Sequence, residues 1–252
     1  MQSPREFSIQ EYGPTACSVV LNDVAYARDG RAVFSGLSLE LTQSRVGIVG
    51  RNGSGKSQLA RLIAGLAAPD AGVLRVGGAD VARDRKAALG LVGILFQNPD
   101  HQIIFPTVGE ELCFGLTAQG ANRPHARQRA QAMLDQFERS DWFDRSVHGL
   151  SQGQRHLVCL MSVLVMAPKV IVLDEPFAGL DLATTVRLGR YLDGLEQRLI
   201  HISHDLPALT EYDRVIWLER GTVQMDGPPQ QVLPAYEAEM REQGGRNDFT
   251  DL

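Results

Sequence analysis

Gly50-Arg51-Asn52-Gly53-Ser54-Gly55-Lys56-Ser57 fits the phosphate-binding pattern G-x-x-x-x-G-K-[ST]. An apolar run, Arg45-Val46-Gly47-Ile48-Val49, precedes it and a helix-like run, Gln58-Leu59-Ala60-Arg61-Leu62-Ile63-Ala64, follows. In a strand, loop, helix order, glycines let successive backbone N–H groups curl around a phosphate. The helix N-terminus adds a partial positive charge. Lys56 is then placed to reach β- and γ-phosphates, and the Ser57 hydroxyl to ligate Mg²⁺. An ordinary glycine-rich turn is the plain alternative for this segment alone, and the rest of the chain weighs against it.

Outward from the loop, Cys17 to Ala25 and Ala32 to Leu41 read as strands broken by the turn Arg28-Asp29-Gly30. Val73 to Val76 with Gly77-Gly78 suggests a short hairpin, and Leu91 to Phe96 a compact buried strand. From Asn98 the character changes. Pro99, Pro106 and Pro124 punctuate short helical stretches, and Arg127 to Phe137 carries a helical period. Val170 to Leu173 returns to a continuous apolar run of the kind buried on both faces of a parallel sheet. A helix over Leu182 to Gln197, a strand over Leu199 to Ser203, and a final pair, Asp213 to Leu218 with Gly221 to Gln224, complete the globular part. The expectation is one α/β domain over 16–227, with a core from 16–97 and 161–227 and a mostly helical insertion over 98–160. Residues 1–15 read as a mobile lead-in. Residues 228–252 read as a C-terminal helix and, from Gly244, a disordered tail.

A net charge of −5 supplies none of the basic field on which nucleic-acid binding rests, so no nucleic-acid partner is expected. Cys17, Cys113 and Cys159 are too few and too scattered for a disulfide framework or a zinc site, which points to a reducing compartment. The N-terminus lacks the apolar centre of a secretory signal. The longest apolar stretch, Leu157 to Ala167, is about half of what a bilayer span needs.

Chemistry-bearing residues gather at the ends of the apolar runs. Asp174 and Glu175 follow Val170 to Leu173. A carboxylate at the tip of a buried strand, in the sheet of the phosphate loop, is where Mg²⁺ is held. Glu175, one residue further, is placed to polarise an attacking water. An acidic pair flanking a turn is the plainer reading. His204 ends the run Ile202-Ser203-His204-Asp205, and Gln97 ends the run before the insertion, where it can touch Mg²⁺ or the water. Leu150-Ser151-Gln152-Gly153-Gln154 opens a helix over Arg155 to Met166, with a hydroxyl and free N–H groups aimed at an anion. A simple helix cap accounts for it equally well.

Together these residues resemble the ATPase subunit of ATP-binding-cassette (ABC) systems, over about residues 17 to 227. Gly50 to Ser57 matches the Walker A loop, Val170 to Asp174 the Walker B strand and Glu175 the catalytic carboxylate. Gln97 matches the Q-loop and Leu150 to Gln154 the signature. Ala178-Gly179-Leu180-Asp181 matches the D-loop and His204 the switch histidine. The resemblance implies an α/β P-loop NTPase with a RecA-like, mostly parallel core sheet, an antiparallel β subdomain and an inserted helical subdomain. It implies ATP and Mg²⁺ as ligands, with Ser57, Gln97 and Asp174 at the metal. It also implies a head-to-tail dimer in which Ser151, Gly153, Gln154 and Asp181 act on the partner's nucleotide. Both halves are intact here, so a homodimer and a heterodimer are equally open.

Three departures matter. The signature has Gln152 where Gly is commoner, and Gln adopts positive φ less cheaply. Gln58 follows Ser57 where Thr is frequent, so one hydroxyl contact to the α-phosphate is missing. The usual adenine-stacking aromatic aligns with Arg28, leaving either the Arg28 guanidinium or Tyr26 to stack.

The run from Phe96-Gln97-Asn98-Pro99 through Glu110-Glu111 to Phe114-Gly115 resembles energy-coupling-factor importers, which take up vitamins or transition-metal ions. That resemblance implies a transmembrane coupling protein and a substrate-binding membrane protein as partners, at the cytoplasmic face of the membrane. Glu110 and Glu111 would suit Arg-bearing coupling helices, although a solvated acidic helix start is a competing reading. The biotin type is favoured over the cobalt type by Arg45 to Val49 and Leu164 to Pro168. The rival readings are a soluble ABC ATPase acting on nucleic acid or as a nucleotide-dependent clamp, and a non-hydrolysing binding module. The first lacks a coiled coil, second cassette or basic stripe to support it. The second is opposed by Glu175 and His204.

Overall fold

The computed structural model describes residues 17–245. The expected lead-in over 1–15, and the expected tail beyond Gly245, lie outside them. Gly244 and Gly245 themselves close the last helix rather than opening a disordered end.

Two sheets carry the architecture. β1 (Val19–Arg28) and β2 (Arg31–Leu41) form an antiparallel pair. The turn between them puts Asp29 at φ 52° and Gly30 at φ 76°, the doubly left-handed geometry that matches hairpin twist. β3 (Arg45–Val49) begins the second sheet. β4 (Ala71–Val76) returns to the first sheet, on the free edge of β1. The expected hairpin at Gly77-Gly78 is reduced to a single bridge, Val76 to Ala79, because β1 offers a longer ladder.

The second sheet continues with β5 (Val92–Leu95), β6 (Val170–Asp174), β7 (Arg198–Ile202), β8 (Arg214–Glu219) and β9 (Thr222–Gly227), in the spatial order β5-β6-β7-β3-β8-β9. All neighbours are parallel except β8 and β9. Every residue of β6 and β7 is buried, as a continuous run in a parallel sheet requires.

Helices α1 (Lys56–Ile63), α2 (Arg85–Leu91), α3 (Val108–Ala118), α4 (Arg123–Gln136), α5 (Gln152–Leu164), α6 (Leu182–Asp193) and α7 (Pro229–Gly245) complete the fold. α2 is absent from the sequence reading, which took Leu91 as the start of a strand. Asp84 caps α2 by accepting from the Ala87 N–H at 2.9 Å. α4 begins four residues before the expected start at Arg127, because Pro124 sits in its first turn, where proline lacks no bond. α3, α4 and α5 enclose their own core of Val108, Leu112, Ala130, Leu134, Trp142, Val158 and Met161. α5 also sends Cys159, Leu160, Val163 and Leu164 against Leu95, Ile171 and Leu173 of the sheet. One helix thus ties the helical region to the strand ends that carry the site.

Candidate functional site

The site is built from sheet register. Ile48, Ile202 and Asp174 are aligned across β3, β7 and β6. Leu95 is aligned with Leu173, so Gln97 and Glu175 each lie two residues past a common row. Adjacent strands lie about 4.8 Å apart. Four neighbouring parallel strands therefore deliver the glycine loop, His204, the acid pair and Gln97 to one edge of the sheet. They meet in a cleft of about 1040 Å³ lined by Asn52 to Gln58, Gln97, Asp174, Glu175 and His204.

The loop leaves β3 under tight constraint. A Cβ on Gly50 would stand 2.0 Å from the Leu218 carbonyl oxygen. Gly55 caps α1 at φ 105°, and a Cβ there would meet the Phe34 ring at 2.9 Å. Glycine is dictated by close approach at the first position and by both approach and handedness at the second. Lys56 is buried, and its Nζ donates to the carbonyls of Gly50 at 2.6 Å and Arg51 at 2.8 Å. Burial pulls its pKa down, and the nearby carboxylates of Glu175 and Asp174 oppose that shift.

The Ser57 hydroxyl bonds the Asp174 carboxylate. Burial holds Asp174 above the usual carboxylate range, against the Ser57 bond and the Lys56 charge. Burial and the neighbouring Asp174 push Glu175 up to about 7. Glu175 occupies the left-handed region at φ 52°, and its N–H is held by the Ile202 carbonyl at 3.0 Å. Its Oε1 lies 3.6 Å from His204 Nε2. Oε1 is buried without a hydrogen-bond partner among the described residues, as is the Ser54 hydroxyl in the loop. The cleft thus offers cationic and N–H donors for phosphate beside hard oxygen ligands suited to Mg²⁺.

Ser151, Gly153, Gln154 and Asp181 are not in this cleft. They line a separate groove beside Arg139, Trp142 and Leu180. Ser151 and Gln154 form a reciprocal cap on α5: Ser151 Oγ accepts from the Gln154 N–H, and Gln154 Oε1 from the Ser151 N–H. Asp181 caps α6 through Thr184. Gln152 is the first helical residue and is not at positive φ, so the strain expected there does not arise. Its amide lies against Gly179, where a Cβ would come within 2.8 Å of Nε2.

Arg28 lines the cleft, whereas Tyr26 packs against the apolar core and does not. Glu111 departs from its expected docking role. It is buried, and its Oε2 accepts from the N–H groups of Ile104 at 2.9 Å and Phe105 at 3.0 Å. Its position beside Glu110 hid this, because only the fold brings the preceding loop back over it. Glu110 stays exposed and accepts from Thr107 Oγ1 at 2.7 Å.

The sequence also missed Arg31 and Arg220, which line the cleft, and His156. His156 is buried on α5, where burial lowers its pKa and the Pro176 backbone beside the acid pair opposes that shift. No motif marks these residues. For the two arginines the available signal was their place beside turns; for His156, inside α5, there was none.

A parallel sheet with a glycine loop after β3, an acid pair after β6 and a histidine after β7 defines a P-loop NTPase of the ATP-binding-cassette class. Residues 34–178 match the ABC transporter family model. The biotin transport ATP-binding protein BioM of Rhodobacter capsulatus is 53% identical over 89% of this chain and 96% of its own length. BioM of Rhizobium etli is 36% identical over 82% of this chain and 92% of its own. The structure of cbiO1 from Clostridium perfringens, described as part of the ABC transporter complex cbiONQ, superposes with a TM-score of 0.72 at 28% identity. That match covers 88% of this chain and 93% of cbiO1. The chain belongs to the ABC transporter family, as an ATP-hydrolysing subunit that uses ATP and Mg²⁺.

Proposed function

We propose that this chain is the ATPase of an energy-coupling-factor importer, that it acts as a dimer, and that it drives biotin uptake from the cytoplasmic face of the membrane. The observation that carries this reading is the separation of two half-sites on one chain. Lys56, Ser57, Asp174 and Glu175 converge in the cleft, while Ser151 and Gly153 line another groove. Among the described residues nothing requires glycine at 153: its φ is not positive, and an added Cβ would make only an ordinary 3.5 Å contact with Leu180. Glycine costs a helix about 1 kcal/mol relative to alanine. A bare Cα beside free N–H groups at a helix start suits a phosphate arriving from a second subunit.

On this reading Lys56 exchanges its loop carbonyls for the β- and γ-phosphates. The backbone of Gly50 to Ser57 cradles them, with Gln58 alongside. Ser57, Asp174 and Gln97 would hold Mg²⁺, which would supply neutralising charge to the phosphates. Glu175 polarises the attacking water with a pKa near the working pH, as a general base requires, and His204 and Gln97 orient its surroundings. Arg28 stacks on the adenine in place of an aromatic ring. Asp181 and Gln154 support the partner's nucleotide.

The biotin reading is supported by the 53% identity with a protein named for biotin transport. Among the described residues no helix is long and apolar enough to cross a membrane, and this reading assigns the solute path to partner membrane proteins. The domain division is part of the proposal: a core over 16–97 and 161–227 and an insertion over 98–160 that meets those partners through its exposed face, including Glu110. The test is uptake of labelled biotin by cells carrying the chain and its membrane partners, comparing wild type with Lys56→Ala. Uptake lost in the variant supports the proposal. Biotin uptake that persists, with another solute's uptake lost, overturns the biotin assignment alone.

A further inference from the structure

We propose that Arg220 is a further nucleotide-binding residue, a guanidinium presented to the phosphate chain from the turn between β8 and β9. The inference rests on the nucleotide reading of the cleft. Glu219 pairs with Thr222, so Arg220 and Gly221 form a two-residue turn at φ 48° and 76°. The first position of such a turn favours Asn, Asp or Gly, because a larger side chain is crowded in the left-handed region. Arginine stands there nonetheless. Its side chain makes no hydrogen bond or ion pair among the described residues, so nothing in the packing of the turn calls for it. A strained residue at a cleft is a reason to look for function.

The turn is also held in place. The Gly221 N–H donates to the Ser54 carbonyl at 3.0 Å, fastening the turn to the phosphate loop. On its other side, a Cβ on Gly221 would stand 1.8 Å from the Val33 carbonyl oxygen, so the turn is wedged against β2. Arg220 is thereby fixed at the rim of the cleft that holds Lys56 and Ser57. Arg28 and Arg31 line the same rim from the opposite hairpin. A guanidinium fork matches two phosphate oxygens at once, which a lysine ammonium does not.

The experiment measures MgATP binding to the full chain by calorimetry for wild type, Arg220→Asn, Arg220→Lys and Lys56→Ala, at low and high salt. Thermal unfolding is followed without nucleotide. Asn suits the left-handed turn, so Arg220→Asn should unfold at or above the wild-type temperature. It should still bind MgATP roughly tenfold more weakly at low salt, with a smaller gap at high salt. Arg220→Lys should recover part of the loss. Binding by Arg220→Asn within twofold of wild type, while Lys56→Ala is impaired, overturns the role of Arg220 and leaves the cleft reading intact. Weakened binding with an equal loss of thermal stability makes Arg220 structural and also overturns it. If wild type and Lys56→Ala bind alike, the cleft reading itself falls.

Discussion

Glu175 sits in a costly state: half-buried, beside a second carboxylate, and in left-handed backbone. A catalytic base is held near neutrality in this way, and stability is what opposes it. Glu175→Gln should lower kcat by about 10²–10⁴-fold while ATP still binds. Turnover near the wild-type rate would remove Glu175 from the role of base. The same variant has a pH signature. The Glu175 carboxyl has a pKa of about 7 in the fold and about 4.5 when unfolded. Between those values the folded chain keeps a proton that the unfolded chain releases. Wild type therefore loses stability as pH rises through that window, by at most about 1.4 kcal/mol per unit. Glu175→Gln, free of Mg²⁺ and nucleotide, should unfold at a higher temperature than wild type at pH 8, with the gap closing towards pH 5. Equal unfolding temperatures at pH 8 would mean that Glu175 is not held protonated by its surroundings. The acid pair was legible because it ends an apolar run. Its elevated pKa was not, since that depends on what covers it.

Among the elements, α5 does double duty. Its first turn carries Ser151 and Gly153, and one turn further the buried His156 stands close enough to the Pro176 backbone to feel it electrostatically. Movement at the signature should therefore reach the acid pair through one buried ring. His156→Phe preserves bulk and removes the polar ring. Misplacing a reacting group by about 1 Å can cost 10²-fold, so kcat should fall by tenfold or more while the ATP dissociation constant stays within twofold. Steady-state turnover beside calorimetric binding separates the two. An unchanged kcat would confine His156 to packing. The cap of α5 was legible from Ser151, which is local chemistry, although the helix begins at Gln152 rather than at the expected Arg155. Its reach to Pro176 was not, because it depends on how the helical region docks on the sheet. The turn at Gly77-Gly78 and the short α2 were misread for a related reason: brief elements follow their neighbours more than their own pattern.

For the whole molecule, two features govern assembly. Arg198 on β7 is buried, and its guanidinium donates to the carbonyls of Leu41 and, at 2.7 Å, Thr42. It fastens the end of the antiparallel sheet to the parallel one. Arg198→Met should keep the volume, strand those carbonyls and destabilise the chain by about 2–3 kcal/mol, read as a lower urea midpoint. A midpoint unchanged from wild type would show that Arg198 does not hold the two sheets together, leaving that to packing and to Arg214, whose Nη1 donates to the Glu40 carbonyl at 2.7 Å. The second feature is the divided site. Lys56→Ala and Ser151→Arg should each be inactive alone. Mixed, they should regain activity, because one of the two sites in such a dimer pairs an intact loop with an intact signature. A mixture as inactive as its parts would place Ser151 in the service of its own chain's nucleotide.

The sequence by itself determined the glycine loop, the acid pair, His204, the buried strands and the cap of α5. Each is a local matter of backbone geometry, periodicity or side-chain bonding within a few residues. Tertiary structure alone decided which strand ends stand side by side, through the order β5-β6-β7-β3-β8-β9. It also decided that Glu111 serves the loop before it, and that Arg220 shares the cleft while Tyr26 does not. Those outcomes depend on register and burial between residues far apart in the chain, and no local pattern encodes the distance between two strand ends.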